Sequence, residues 1–454
     1  MRGPDTTTGG ARDILRLAVP ALPVLAAEPL YVLVDTAVVG RLGALPLAGL
    51  AVAGVLFAQV TTQLNFLSYG TTARAARFYG AGRRAAAVSE GVQATWLALA
   101  VGLLVLGAGQ LLAAPVAGAL AGGAEIADGA VGWLRVALFG APLVLVTLAG
   151  NGWMRGVQDT VRPMRYVIAG NALSAVLCPF LVHGVGSWDG WGLEGSAVAN
   201  VVAQSVSAGF FLRALAVERR RAPADDPVRL TPDTTVLRAQ VTMGRDLVLR
   251  SLGFQACFLS ATAVAARFGA ESVAAHQIVL QLWVFQSLVL DAVAIAAQAL
   301  VGSALGAAHD EAGTGRARAV AARVTRYGLL LGCLFGVLFA GLYTVLPPVF
   351  TADPAVLATV PAAWWFFTAL QPIAGVVFAL DGVLLGAGDA AFLRTTTLLG
   401  ALAGFLPLIW LSLVFGWGLA GIWTGLAAFM VVRLVAVGLR ARSGRWAVPG
   451  AVRT

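Results

Sequence analysis

The second half of this 454-residue chain repeats the first about 226 residues on, and both halves are built from apolar stretches. Val39-Gly40-Arg41-Leu42-Gly43-Ala44 is echoed by Ala265-Ala266-Arg267-Phe268-Gly269-Ala270. Trp153-Met154-Arg155-Gly156-Val157-Gln158-Asp159 is echoed by Val383-Leu384-Leu385-Gly386-Ala387-Gly388-Asp389, and Gly192-Leu193-Glu194-Gly195 by Gly418-Leu419-Ala420-Gly421. The offset stays at about 226–230, so the matches share one register. A duplicated bundle of apolar helices is a common plan of secondary transporters, with the substrate path between the repeats.

The chain is 59% hydrophobic and 12% charged, with mean hydropathy +0.84. A soluble domain carries about 25% charged residues, so burial within water-soluble domains does not explain these values. A spanning helix needs roughly 20 apolar residues. About twelve such stretches occur, near 14–38, 46–70, 90–114, 130–150, 165–183 and 193–215, then 247–266, 273–302, 320–345, 355–381, 393–415 and 419–438. The expected fold is an all-α polytopic membrane protein of two six-helix lobes, 1–217 and 247–454. A polar linker, 218–246, with Pro223, Asp225, Asp226, Pro227, Pro232 and Asp233, joins them. With an even number of spans per lobe, the repeats share one orientation and relate by an axis along the membrane normal.

All 31 basic residues are Arg, and net charge is +9. They cluster in alternate loops: Arg74, Arg77, Arg83 and Arg84; Arg155, Arg162 and Arg165; Arg213 to Arg245 in the linker; Arg316, Arg318, Arg323 and Arg326. The opposite loops hold Arg41, Arg135 and Arg267. This distribution reads as membrane orientation, with those loops and both termini cytoplasmic, and argues against a nucleic-acid surface. The absence of Lys beside abundant Ala, Gly and Arg points to a GC-rich, bacterial source. Cys178, Cys257 and Cys333 lie in apolar stretches without metal or redox spacing and read as small core residues. No metal site is expected from three dispersed histidines, and no enzyme motif occurs.

Glycine repeats at 328, 332 and 336, at 400 and 404, and at 421 and 425 predict close helix packing. Pro20, Pro23 and Pro29 in the first span predict a bent helix, whether static or moving. Trp188, Trp191, Trp364, Trp365 and Trp417 near span ends read as an aromatic belt.

An ionisable side chain inside a span is costly and marks function by default. Asp35 is the foremost such residue, a carboxyl suited to gaining and losing a proton as water access changes. Glu28 precedes it by seven residues, two turns along the same face. The internal repeat sets Asn65 against Asp291 and Asn151 against Asp381, so amides in the first lobe stand where the second has acids. A cation site therefore fits either lobe, and Asp291 and Asp381 read equally well as helix-joining hydrogen-bond partners. His276 and Gln277 lie in Ala274-Ala275-His276-Gln277-Ile278 near this second-lobe set.

Several stretches in order resemble the multidrug and toxic compound extrusion (MATE) family, and within it the DinF-like branch. They are Glu28 to Gly43; Asn65-Phe66-Leu67 followed by Gly70-Thr71-Thr72-Ala73; Arg155-Gly156-Val157-Gln158-Asp159-Thr160; Ala274 to Ile278; Asp291-Ala292 leading to Ala297–Gly302; and Leu380-Asp381-Gly382. The resemblance implies a V-shaped pair of six-helix bundles, alternating access, and export of organic, often cationic compounds against H+ or Na+. It implies coupling at Asp35 and places Asn171 and Asn200 in the same cavity. Where relatives carry an Asp four residues after that first Asn, this chain has Ala175. With one carboxylate fewer, H+ is favoured over Na+, with Asp291 and Asp381 as replacements for the missing acid. No cofactor beyond the ion gradient is implied, the partners are small organic molecules and the lipid bilayer, and a monomer suffices. The competing readings are a lipid-linked precursor flippase, for which Arg16, Arg135 and Arg250 are the only in-span guanidinium candidates, and a membrane-embedded enzyme.

Overall fold

In a computed structural model of the chain, residues 10–223 and 226–452 are described; Asp225 of the expected linker lies outside them. Among the described residues, twelve helices are long and apolar enough to cross a membrane. They run Ala11–Leu42, Ala44–Gly80, Arg84–Leu120, Ala124–Gly156, Val161–His183 and Gly192–Arg220, then Thr234–Arg267, Ala270–Ala307, Ala312–Gly341, Pro361–Gly386, Ala390–Phe415 and Gly418–Ser443. Most extend well beyond the expected stretches, because helices continue past the apolar zone into polar turns. The tenth starts later than expected, at Pro361, after the separate short helices Leu346–Phe350 and Pro354–Thr359. Exposed side chains such as Leu104 and Leu111 are the lipid-facing surface that the hydropathy demands, since lipid tails are as apolar as leucine.

The helices divide into two compact units. One holds Val19–Thr242; the other holds Met243–Thr454 together with the start of the first span up to Ala18. The boundary falls inside the seventh span because residues 234–246, expected as linker, are already helix. Only residues 221–233 connect the sixth and seventh spans. This connection is tied to the third span. Gln93 donates to Thr231 O at 2.9 Å and accepts from Asp233 N at 2.8 Å, Trp96 Nε1 donates to Leu230 O at 2.8 Å, and Arg229 N donates to Ser89 Oγ at 2.9 Å.

The internal repeat has a structural cause. Gly43 and Gly269, 226 apart, precede the second and eighth spans at φ +121° and +107°, where a side chain would be strained. Gly388 ends the tenth span at φ +74°, and its counterpart Gln158 holds the same left-handed turn at φ +60° without being glycine. The packing repeats too. A Cβ on Gly152 would lie 2.4 Å from Ser68 O, and one on Gly382 2.3 Å from Ala294 O, so the fourth span crosses the second as the tenth crosses the eighth.

The expected glycine repeats pack as read. Cβ atoms on Gly328 and Gly332 would each fall 2.4 Å from a backbone oxygen of the tenth span, of Gly375 and Gln371. Gly421 and Gly425 close on Ser412 and Ile409 of the eleventh span. The first span is one helix through all three prolines. Of the tryptophans assigned to a belt, Trp188, Trp191, Trp365 and Trp417 are exposed, but Trp364 is fully buried. It sits with Phe339 and Phe367 in the second unit's core and donates to Phe339 O at 3.1 Å. Position near a span end did not reveal which way its helix face turned.

Candidate functional site

Within the first unit, the first, second, fourth, fifth and sixth spans enclose a cavity of about 530 Å3. Five of the residues singled out from sequence line it: Glu28, Asp35, Asn151, Asn171 and Asn200. Helix periodicity explains the convergence, since one face repeats every three to four residues. Glu28, Tyr31 and Asp35 follow that spacing on the first span, and Asn200, Gln204 and Ser207 on the sixth.

Asp35 is 3% exposed. Tyr31 OH, one turn earlier, donates to its Oδ2 at 3.3 Å, and Cys178 Sγ lies 3.3 Å from Oδ1. Both oxygens are thus covered by weak, neutral donors, with no guanidinium against them in these contacts. Cys178 stands seven residues after Asn171, two turns along one helix face; that spacing is the signal by which it could have been found. Reading it only as a small core residue missed its contact with the acid.

The amides differ from one another. Asn171 Nδ2 donates to Val167 O at 3.1 Å. Asn151 and Asn200 are buried, and Oδ1 of each has no partner among the described residues. Buried acceptors without partners are uncommon and call for a ligand, ion or water. Trp133, Phe57 and Tyr31 contribute aromatic walls, Phe57 meeting Trp133 edge-on with centroids 5.8 Å apart. Among the described residues, the cavity lining contains two carboxyls and no Arg or His. Asn65 does not line it. It occupies the break between Ala44–Leu64 and Phe66–Gly80 in the second span, where its backbone closes one helix and opens the next.

The second unit's residues do not form a matching open site. Asp381 is buried and ion-paired to two guanidiniums, Arg250 at 2.5 Å and Arg433, both to Oδ2. Arg433 is 1% exposed, on the twelfth span, with its guanidinium carbon 5.0 Å from the Phe254 ring centroid and 5.6 Å from that of Phe429. Asp381 therefore joins helices, one of the two roles left open from sequence. Asp291 is half-buried on the eighth span and already engaged in an interaction. His276 is buried edge-on to Trp423, and neither ring nitrogen has a hydrogen-bond partner among the described residues; Gln277 is exposed. The expectation of only three in-span arginines is also corrected. Arg433 falls inside the predicted twelfth span, and Arg77 and Arg155 are buried where the second and fourth helices outrun their apolar stretches.

Comparison with known proteins agrees with this architecture. The MatE family model matches residues 20–180 and again 247–411, one match in each repeat. Protein DETOXIFICATION 44, chloroplastic, from Arabidopsis thaliana is 33% identical over 96% of this chain and 83% of its own length. DNA damage-inducible protein F of Escherichia coli K12 is 30% identical over 97% and 94%. The solved structure described as MATE in the bent conformation superposes with a TM-score of 0.85 at 20% identity, covering 96% of each chain. With a family match in each repeat and a DinF protein aligned along nearly its whole length, the chain belongs to the MatE family of multi-pass membrane transporters.

Proposed function

We propose that the protein is a secondary active antiporter that exports organic cations and cationic amphipaths in exchange for protons by alternating access. It acts as a monomer in a bacterial cytoplasmic membrane, with both termini cytoplasmic. The observation that carries this reading is the first-unit cavity, which holds two carboxyls and aromatic walls without any basic side chain. Aromatic faces attract organic cations, and the apolar remainder suits amphipaths. Asp35 is the coupling residue: enclosed by Tyr31 and Cys178, it is reached by a proton more easily than by a bulky solute. The exporter role is supported by the detoxification name carried by a relative that this chain matches over 83% of its length.

The ion pairs of Asp381 with Arg250 and Arg433 favour a structural role for it and support placing the coupling site at Asp35. A second reading, Na+ in place of H+, is favoured by one feature, the oxygens of Asn151 and Asn200 in the cavity, which have no partner among the described residues. Hard cations take several oxygen ligands.

The test is efflux of a fluorescent cationic dye from proteoliposomes under an imposed pH gradient or an imposed Na+ gradient. Proton-driven transport that disappears in Asp35→Asn, in protein that still folds and inserts, is the expected result. Transport driven by Na+ alone replaces the coupling ion, and full activity in Asp35→Asn removes the coupling assignment.

A further inference from the structure

Glu28 has no part in the coupling role given to Asp35, yet it lines the same cavity. The two carboxyls stand seven residues apart on one helix, about 10 Å along its axis at 1.5 Å per residue. They differ in access: Glu28 is exposed, whereas Asp35 is covered. The Thr61 hydroxyl is a hydrogen-bonding neighbour of Glu28, shared with the carbonyls of Phe57 and Ala58 at 3.1 Å each, and it carries no charge to offset the acid. No basic side chain in the lining offsets either acid, and the lining around them is largely apolar, with Val24, Ala27, Val32 and Leu50 among it. Two separated negative groups in a mainly apolar chamber are complementary to an elongated solute with a cationic centre near each end.

We propose that Glu28 is a charge-recognition residue, separate from the coupling acid, that gives this cavity a preference for organic dications over monocations. Such solutes are aliphatic diamines or bis-quaternary ammonium compounds with charges about 10 Å apart. This rests on the reading of the cavity as a cation site. A dication sets one charge against the exposed Glu28 carboxylate and the other in the field of Asp35 behind Tyr31 and Cys178; a monocation of the same length meets one acid and leaves the other unmatched.

The experiment is equilibrium binding, by titration calorimetry, of the purified full chain in detergent at mildly alkaline pH. The probes are a series of bis-trimethylammonium alkanes and the mono-trimethylammonium alkanes of equal length. The wild type is expected to bind the matched dication roughly tenfold more tightly than its monocation partner, about 1.4 kcal/mol. Glu28→Gln should erase that margin with a much smaller effect on the monocation, and Glu28→Asp should keep part of it. The wild type supplies a readout that needs no variant: affinity should peak at the chain length that matches the spacing. A flat length dependence, or a margin that survives in Glu28→Gln, would overturn the proposal. A clear dication margin in a protein that moves no dye under either gradient would sink the antiporter reading and leave this one standing.

Discussion

A guanidinium buried to 1% exposure is tolerable only beside an anion, and Arg433 depends on Asp381 for that. The desolvation penalty of a buried charge is several kcal/mol, so removing one partner of such a pair typically costs about 3–5 kcal/mol. Asp381→Asn is therefore expected to lower the thermal unfolding midpoint in detergent strongly. Adding Arg433→Met should recover part of the loss, because the more deeply buried of the two orphaned guanidiniums is then gone while Arg250 remains. Equal destabilisation by the single and double variants would mean that the ion pair is not the cause. Asp35 was conspicuous in the sequence because a lone acid in an apolar run stands out. Its covering groups were not: a tyrosine and a cysteine are ordinary in such runs, and only packing brings Cys178 to Asp35 across 143 residues of chain.

Helix contacts are set by small residues and end caps. Alanine in place of a helical glycine gains up to about 1 kcal/mol in helix propensity. At Gly332 the new Cβ would meet the Gln371 carbonyl oxygen at 2.4 Å, part of a backbone that cannot step aside, and overpacking costs about 1–3 kcal/mol. Gly332→Ala should thus lower thermal stability, while Gly341→Ala, with open space around it, should not. The glycine spacing made this interface legible, although the partner helix was not.

Asp233 caps the seventh span, accepting from Thr235 N at 2.9 Å and Val236 N at 3.4 Å. The Thr235 amide, helped by Arg229, holds its carboxyl below the ordinary range. A lowered folded value means the cap stabilises above the unfolded pKa of about 3.9 and is lost as pH falls through the folded one. Asp233→Ala should melt below the wild type at pH 7, and the two curves should converge in acid. A difference that persists at the lowest pH would assign the effect to something other than the carboxylate.

At the scale of the whole molecule, the arginine distribution predicts the orientation. In a variant lacking the three native cysteines, a membrane-impermeant thiol reagent applied to intact cells should label Ser187→Cys, between the fifth and sixth spans. Arg84→Cys, at the start of the third, should react only after the membrane is opened. The reverse pattern would invert the topology and the direction of export.

Class, span number and repeat were determined by the sequence, because hydropathy is a property of each segment and the repeated turns need left-handed residues wherever they fall. So was the set of polar residues at issue, since an apolar chain leaves few. Their sorting belonged to the tertiary structure. Asn151 and Asp381 hold equivalent places in the repeat, yet one faces a cavity and the other is locked between two arginines. That outcome turns on whether a guanidinium from another helix reaches the site, and such a contact is fixed by packing, which no single segment encodes.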